Sequence, residues 1–356
     1  MPHDKDLPHD KDLPHDKDLA LWMLPLALTG MTLSIARPAR ANETLRLAIP
    51  GRPPQFAGLP FLIARDGGLF EHYGLNVDIK PMQSGAAAAK AVLTGRLDLA
   101  LAPTQFAVQL IANTKASLKA IWGLDRSDWL LAALNPAQMT CTALKGQRIG
   151  IDAKRGPRWT QLNTILSRGC NLKIDKDVKT LPLGSKIVSA MAAGKLGLGL
   201  LHMGELKEIE LASGRQLHVI ATLEAAAPGQ HHLMLIARQG TIDSRRDCLV
   251  RLLAALRDAS EQIHDPSNLL TIAKIAKPIQ PSPKVAAAAI KALSGMRFYP
   301  KAGPGLDKAR IEAAISNQLR IGRFTKGRSG IKPGSAALRP GDVVDLSLWH
   351  DAKGLK

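Results

Sequence analysis

Several groups in this chain have the type and placement to hold a small polar molecule. Ser84-Gly85 opens a helical run just after the alternating Leu75, Val77 and Ile79, so free amides and a helix dipole stand at a strand end, where an anion or carbonyl is stabilised. Gln55 follows an apolar strand at 45–49, and Thr104 follows another at 99–101. Further on, Arg155 and Trp159 follow a strand at 145–152, and His202 follows one at 198–201. A guanidinium suits forked contacts with sulfonate or carboxylate. The candidate ligand contacts are therefore Gln55, Ser84, Gly85, Thr104, Arg155, Trp159 and His202. Each also has a plainer role open to it. Ser84, Thr104 and His202 could serve only as helix caps, Arg155 as a solvated loop charge and Trp159 as packing.

Catalytic patterns are missing from the inventory. There is no GxSxG, HExxH or CxxC. Gly197, Gly199 and Gly204 have the wrong spacing for a dinucleotide loop and lie in an apolar strand. His231-His232 reads as a surface pair at the start of a strand. No catalytic residue, metal site or cofactor is expected.

These groups need elements to position them. Residues 61–102 read as helix, strand, helix, strand, with Gly74 and Gly95 as helix stops. The pattern returns at a constant offset of 99, since Gly85, Ala91, Gly95, Leu97 and Leu99 correspond to Gly184, Ala190, Gly194, Leu196 and Leu198. Two similar α/β units imply two lobes. Beyond residue 244 the pattern is helical, with breaks at Pro266, Pro281–Pro283 and 303–305. The loops at the strand ends would line a cleft between the lobes.

Three stretches make the chain resemble a known family. They are 61–74 with its GLF-E-x-YGL ending, Gly95-Arg96-Leu97-Asp98-Leu99-Ala100, and Leu144-Lys145-Gly146-Gln147-Arg148-Ile149-Gly150. Together they are similar to the substrate-binding proteins of nitrate/sulfonate/taurine-type ABC importers, a superfamily that includes thiamine-pyrimidine synthases. Gly197 departs from the pattern, which often has an acidic residue there. The resemblance spans roughly 45–320. It implies an α/β, two-lobed type II periplasmic-binding-protein fold with a two-strand hinge. It also implies a permease and ATPase as partners, and it leaves the ligand open.

Composition narrows the alternatives. Hydrophobic residues at 46% support a globular core, and aromatics at 4% argue against a base-stacking nucleic-acid binder. Residues 19–36 are apolar and precede Ala39-Arg40-Ala41, a small-x-small cleavage pattern, so 1–41 is expected to be a signal peptide. Three tandem PHDKDL repeats fit that reading badly, because they add six Asp to a region that should be positive. The chain has a net charge of +18, or +19 beyond residue 41, spread without a run of five. Cys141, Cys170 and Cys248 allow one disulfide, with Cys141–Cys170 and buried thiols equally open.

The expected organisation is lobe 1 over 42–130, lobe 2 over 131–222, a helical return to lobe 1 over 223–324, and a loose basic tail over 325–356. The expected function is a monomeric periplasmic protein, not an enzyme, that delivers a small anionic or strongly polar solute to an ABC importer. No nucleic-acid partner and no stable membrane insertion are expected. The alternatives are a secreted enzyme of the same fold and a basic lipid- or nucleic-acid-surface binder.

Overall fold

A computed structural model describes residues 44–83, 85–114, 117–229, 231–301, 303–320 and 338–355. The expected signal segment at 1–41 and the candidate Ser84 lie outside these residues. In chain order the strands are β1 (Thr44–Pro50), β2 (Asn76–Met82), β3 (Leu99–Pro103), β4 (Leu118–Leu124), β5 (Leu130–Ala133), β6 (Arg148–Ile151), β7 (Lys179–Pro182), β8 (Leu198–Leu201), β9 (His218–Thr222) and β10 (Leu233–Arg238). They form two five-stranded sheets, ordered β2-β1-β3-β10-β4 and β7-β6-β8-β5-β9.

In each sheet a single strand runs against both its neighbours: β10 in the first and β5 in the second. Each is the strand the chain enters on arriving from the other sheet. The two sheets therefore share one topology, which is the physical form of the sequence repeat. Gly95 and Gly194 sit at matching turns with φ of 77° and 70°, a left-handed backbone that glycine adopts at little cost. Each turn leads into a buried strand, β3 or β8.

The first sheet is covered on both faces. Leu47, Leu99 and Leu101 point to one side with the helices Leu59–Asp66, Arg246–His264 and Pro283–Gly295. Ala48, Ala100 and Ala102 point to the other, against the helices Gly85–Leu93, Thr104–Asn113 and Lys308–Arg320. This is the period-two alternation of a strand buried on both faces.

A buried carboxylate ties the outer end of this sheet. Asp98 accepts from the Arg46 amide at 2.8 Å, from Arg46 Nε at 3.1 Å and from Nη2 at 3.0 Å, with Arg245 Nη1 at 3.4 Å. Burial pushes its pKa up, but the Arg46 bonds and the Arg245 charge outweigh that and leave it lowered. Register places Ala48 opposite Ala100 and Gly150 opposite Gly199. The second-sheet counterparts of Arg46 and Asp98 are thus Arg148 and Gly197, so the second lobe keeps the arginine and lacks the carboxylate.

Two features revise or complete the sequence reading. The loose-tail expectation is corrected for 338–355, where the helix Ser347–Ala352 buries Leu348 and Trp349 in the first-lobe core. Arg246 pairs with Asp351 at 2.7 Å, and the Asp345 amide donates to Ala120 O on β4 at 2.9 Å. The polar composition of this stretch hid its two apolar anchors. The cysteine question closes on a disulfide: Cys141 and Cys170 are bonded, with Cα atoms 5.1 Å apart and a sequence separation of 29. Replacing both with Ser should cost about 2–4 kcal/mol of stability by freeing that loop in the unfolded chain. Urea unfolding of the double variant against the oxidised parent checks this.

The chain leaves the first sheet after Leu124, enters the second at Leu130, and returns between Thr222 and Leu233. Arg310, on the first-lobe helix Lys308–Arg320, grips both crossings. Its Nη1 donates to Asp125 O at 2.8 Å and its Nη2 to Glu224 Oε1 at 3.1 Å.

Candidate functional site

A cavity of about 810 Å³ lies between the two sheets. Its walls include Gln55, Phe56 and Gly85 from the first lobe, Arg158, His202, Glu205 and Glu208 from the second, and Ser127, Asp128, Trp129, His231 and His232 from the crossings. Its size is that of a small-molecule pocket. A second hollow, of about 630 Å³, involves Asp98, Arg238 and Arg245 at the outer end of the first sheet and is remote from this cleft.

The strand ends and crossings place the groups. Asp128 is 3% exposed. It accepts from or shares a proton with His202 Nδ1 at 2.9 Å, and His232 Nε2 lies 3.9 Å away. Burial pushes the Asp128 pKa up, but the two imidazoles and the Met203 amide hold it below the usual range. An ionised Asp128 can only accept, which fixes the hydrogen of a neutral His202 on Nδ1. His202 stacks on Trp129 with ring centroids 3.6 Å apart, and the Arg158 guanidinium stands 5.2 Å from the same ring.

Arg158 spends its fork on Glu205. Its Nη1 donates to Glu205 Oε2 at 2.9 Å and to Leu200 O, and its Nη2 donates to Glu205 Oε1. The His202 amide adds a bond to Glu205 at 2.8 Å, so Glu205 also closes the start of helix Met203–Ser213. Burial pushes the Glu205 pKa up, and Arg158 more than offsets it.

The lobes touch across the cleft. Gly204 is so close to Phe56 that a Cβ there would stand 2.6 Å from the ring. Tyr299 Oη donates to Phe56 O at 2.9 Å and holds that loop in place. Gln280 Nε2 of the first lobe donates to Glu208 Oε2 of the second at 2.9 Å.

Of the sequence candidates, Gln55, Gly85 and His202 line the cavity. Three others do not. Thr104 is wholly buried, and it is the first residue of its helix rather than its cap. Trp159 packs against the second-lobe core and donates Nε1 to Asp175 at 3.0 Å. Arg155 is exposed on a turn with φ of 61°, and the arginine on the wall is Arg158. The His231-His232 pair is also corrected, since His231 is 2% exposed and accepts from the Asp307 amide at 2.7 Å. Asp128, Trp129, Arg158, Glu205 and Glu208 were not singled out. The acidic residue three positions after His202 was the readable clue, as a helix-start pair.

His232 makes the fold acid-sensitive. Burial lowers its pKa from 6.5 to about 4, with Asp128 opposing. The unfolded chain takes up a proton that the folded one refuses, so stability is full above pH 6.5 and falls as pH drops towards 4. The loss is on the order of 3 kcal/mol. A His232→Gln variant should flatten this slope in urea titrations at stepped pH.

Residues 54–268 match the protein family described as NMT1/THI5 like. A curated Brucella abortus protein, named only as a candidate binding protein, is 27% identical over 209 residues, which is 56% of this chain and 61% of that protein. The chain thus spans less than two thirds of that relative. Among solved structures, the alkanesulfonate-binding protein of Xanthomonas axonopodis pv. citri bound to MOPS superposes with a TM-score of 0.61 at 16% identity, covering 85% of this chain and 99% of that one. The ligand-binding component of an ABC-type import system from Staphylococcus aureus, with zinc bound, gives 0.64 at 11% identity, covering 87% and 99%. At these identities the likeness is one of fold, that of the type II periplasmic binding proteins.

Proposed function

We propose that this chain, which belongs to the NMT1/THI5-like family, is the solute-binding component of an ABC-type import system, trapping a small polar molecule between its lobes. The observation that carries this reading is the cavity of about 810 Å³, set between two lobes of one topology that the chain links by two crossings. Such an arrangement lets the second lobe close on a ligand held by the first, and the added contacts shift the open–closed balance. The Cys141–Cys170 disulfide suits an oxidising compartment such as the periplasm. Among the described residues no helix is long and apolar enough to cross a membrane.

The ligand is small and polar in this reading. The expectation of an anion rested on the helix N-terminus at Ser84-Gly85, of which Gly85 lines the cavity, and on Arg155. Ser84 lies outside the described residues, and Arg155 is off the wall. An enzyme of the same fold is the second reading, and the Asp128–His202 pair favours it, because a carboxylate-oriented imidazole suits proton transfer. Thermal-shift screening of anionic, cationic and neutral solutes, with each solute quantified afterwards, separates the two. A shift with the solute recovered intact supports capture. Conversion of the solute supports the enzyme, and no shift with any solute rejects capture.

A further inference from the structure

We propose that the cleft takes a small cation, a solute bearing an amine, amidine or guanidine group, rather than an anion. This rests on the solute-capture reading above and specifies its ligand.

The argument is a charge inventory of the wall. Arg158 is consumed by Glu205, and Glu224 pairs with Arg310 at 3.1 Å. Asp128 pairs with His202 Nδ1 at 2.9 Å, which leaves two wall carboxylates, Asp152 and Glu208, with no ion-pair partner among the described residues. Against them stands Arg52, an exposed residue whose Nε donates to Pro81 O at 2.7 Å. The crossing histidines do not restore the balance. Burial lowers the pKa of both His231 and His232, which keeps them neutral at pH 7.

Both carboxylates have bonding capacity left. Glu208 accepts one bond, from Gln280 Nε2 at 2.9 Å. Asp152 accepts the Ala153 amide at 2.7 Å and, weakly, the Arg158 amide at 3.5 Å. A carboxylate has about four acceptor sites, so both can take further N–H donors. They also stand on the second lobe, the half that would close over the ligand, with Glu208 already drawn to Gln280 of the first. An ammonium or guanidinium there forms charge-assisted bonds with groups that otherwise repel one another. A sulfonate or carboxylate would instead join two like charges in a partly desolvated space.

The contrast with the whole chain sharpens the point. A protein of net charge +18 has concentrated uncompensated acid around its enclosed cavity. The basic exterior slows the approach of a cation, but salt screens that beyond about 8–10 Å. The interior charge is screened less and decides which solute stays.

The test is calorimetry and thermal shift on the disulfide-bonded chain, with agmatine, putrescine and benzamidine against methanesulfonate, nitrate and acetate. The expected result is binding of at least one cation and of no anion. Glu208→Gln should weaken that binding tenfold or more, while the ligand-free melting temperature changes little, since glutamine can keep the Gln280 bond. Preference for an anion, or failure of all three cations, overturns the proposal, as does cation binding untouched in both Glu208→Gln and Asp152→Asn. If an anion or a neutral solute binds instead, solute capture stands and only the charge assignment fails. If nothing in the wider screen binds, both fail.

Discussion

An Asp98→Ala protein should unfold about 3–5 kcal/mol more easily than its parent. The carboxylate is 6% exposed and collects three bonds from Arg46, with Arg245 beside it. Removing it leaves the Arg46 amide without its partner where the β1–β3 pairing begins, and two guanidiniums without their shared carboxylate. The Arg46 side chain is 42% exposed, and water takes back part of that cost, so the lower end of the range is favoured. Because the Asp98 pKa is lowered in the fold, its contribution is present above the ordinary carboxylate range and disappears as pH falls below it. Urea unfolding at pH 7 and at pH 3 checks both statements. The gap between variant and parent should be wider at pH 7 than at pH 3, and a loss under 1 kcal/mol at pH 7 would reduce Asp98 to a surface ion pair.

The second large effect is on binding. Gly204→Leu should weaken ligand affinity roughly 100-fold, about 2.7 kcal/mol, with the fold intact. Leucine is a better helix former than glycine, so helix Met203–Ser213 loses nothing locally. The obstacle is Phe56 on the other lobe, whose ring would meet even a Cβ at 2.6 Å. The lobes must then stop short of contact, and the closed-state bonds from the second lobe are forfeited. Phe56→Ala placed in the Gly204→Leu protein should recover much of the affinity by clearing the space. Calorimetry with whichever solute the screen identifies gives the comparison. If the double variant binds no better than the single one, the clash is not the cause.

The fold was readable where its signals are local. Gly95 and Gly194 each end a helix and launch a buried strand, so the repeat with its offset of 99 could be found without any contact information. The site was readable only in part. Gln55, Gly85 and His202 sit at strand ends, which the alternation of apolar residues reveals. Asp128, Trp129 and His232 sit on the crossings, where no period exists and burial depends on the other lobe. Arg155 is nearer in sequence to the end of β6 than Arg158, yet it is not the arginine on the wall. The short helix Pro157–Thr164 decides between them, turning Arg158 inward to Glu205 and leaving Arg155 in solvent. Trp349 was missed for a similar reason, because one aromatic residue in a polar stretch buries itself only if a distant helix offers a partner.

The grip of Arg310 on both crossings has a mechanical meaning. A door turns about pins that belong to its frame, and here the frame is the first lobe. One guanidinium anchored on the first-lobe helix Lys308–Arg320 holds Asp125 of the outgoing strap and Glu224 of the incoming one. If the lobes close as proposed, that grip would push bending to the far side of both straps, into the few residues around 126–129 and just before Glu224. On the proposed closure, the axis of rotation would run beside the Asp128 wall of the cavity rather than behind it. A small turn of the second lobe would then move Glu208 and Gly204 towards the first lobe while Asp128, at the axis, would hardly move. Any partner seated on the frame would sense the ligand only through the angle of the door.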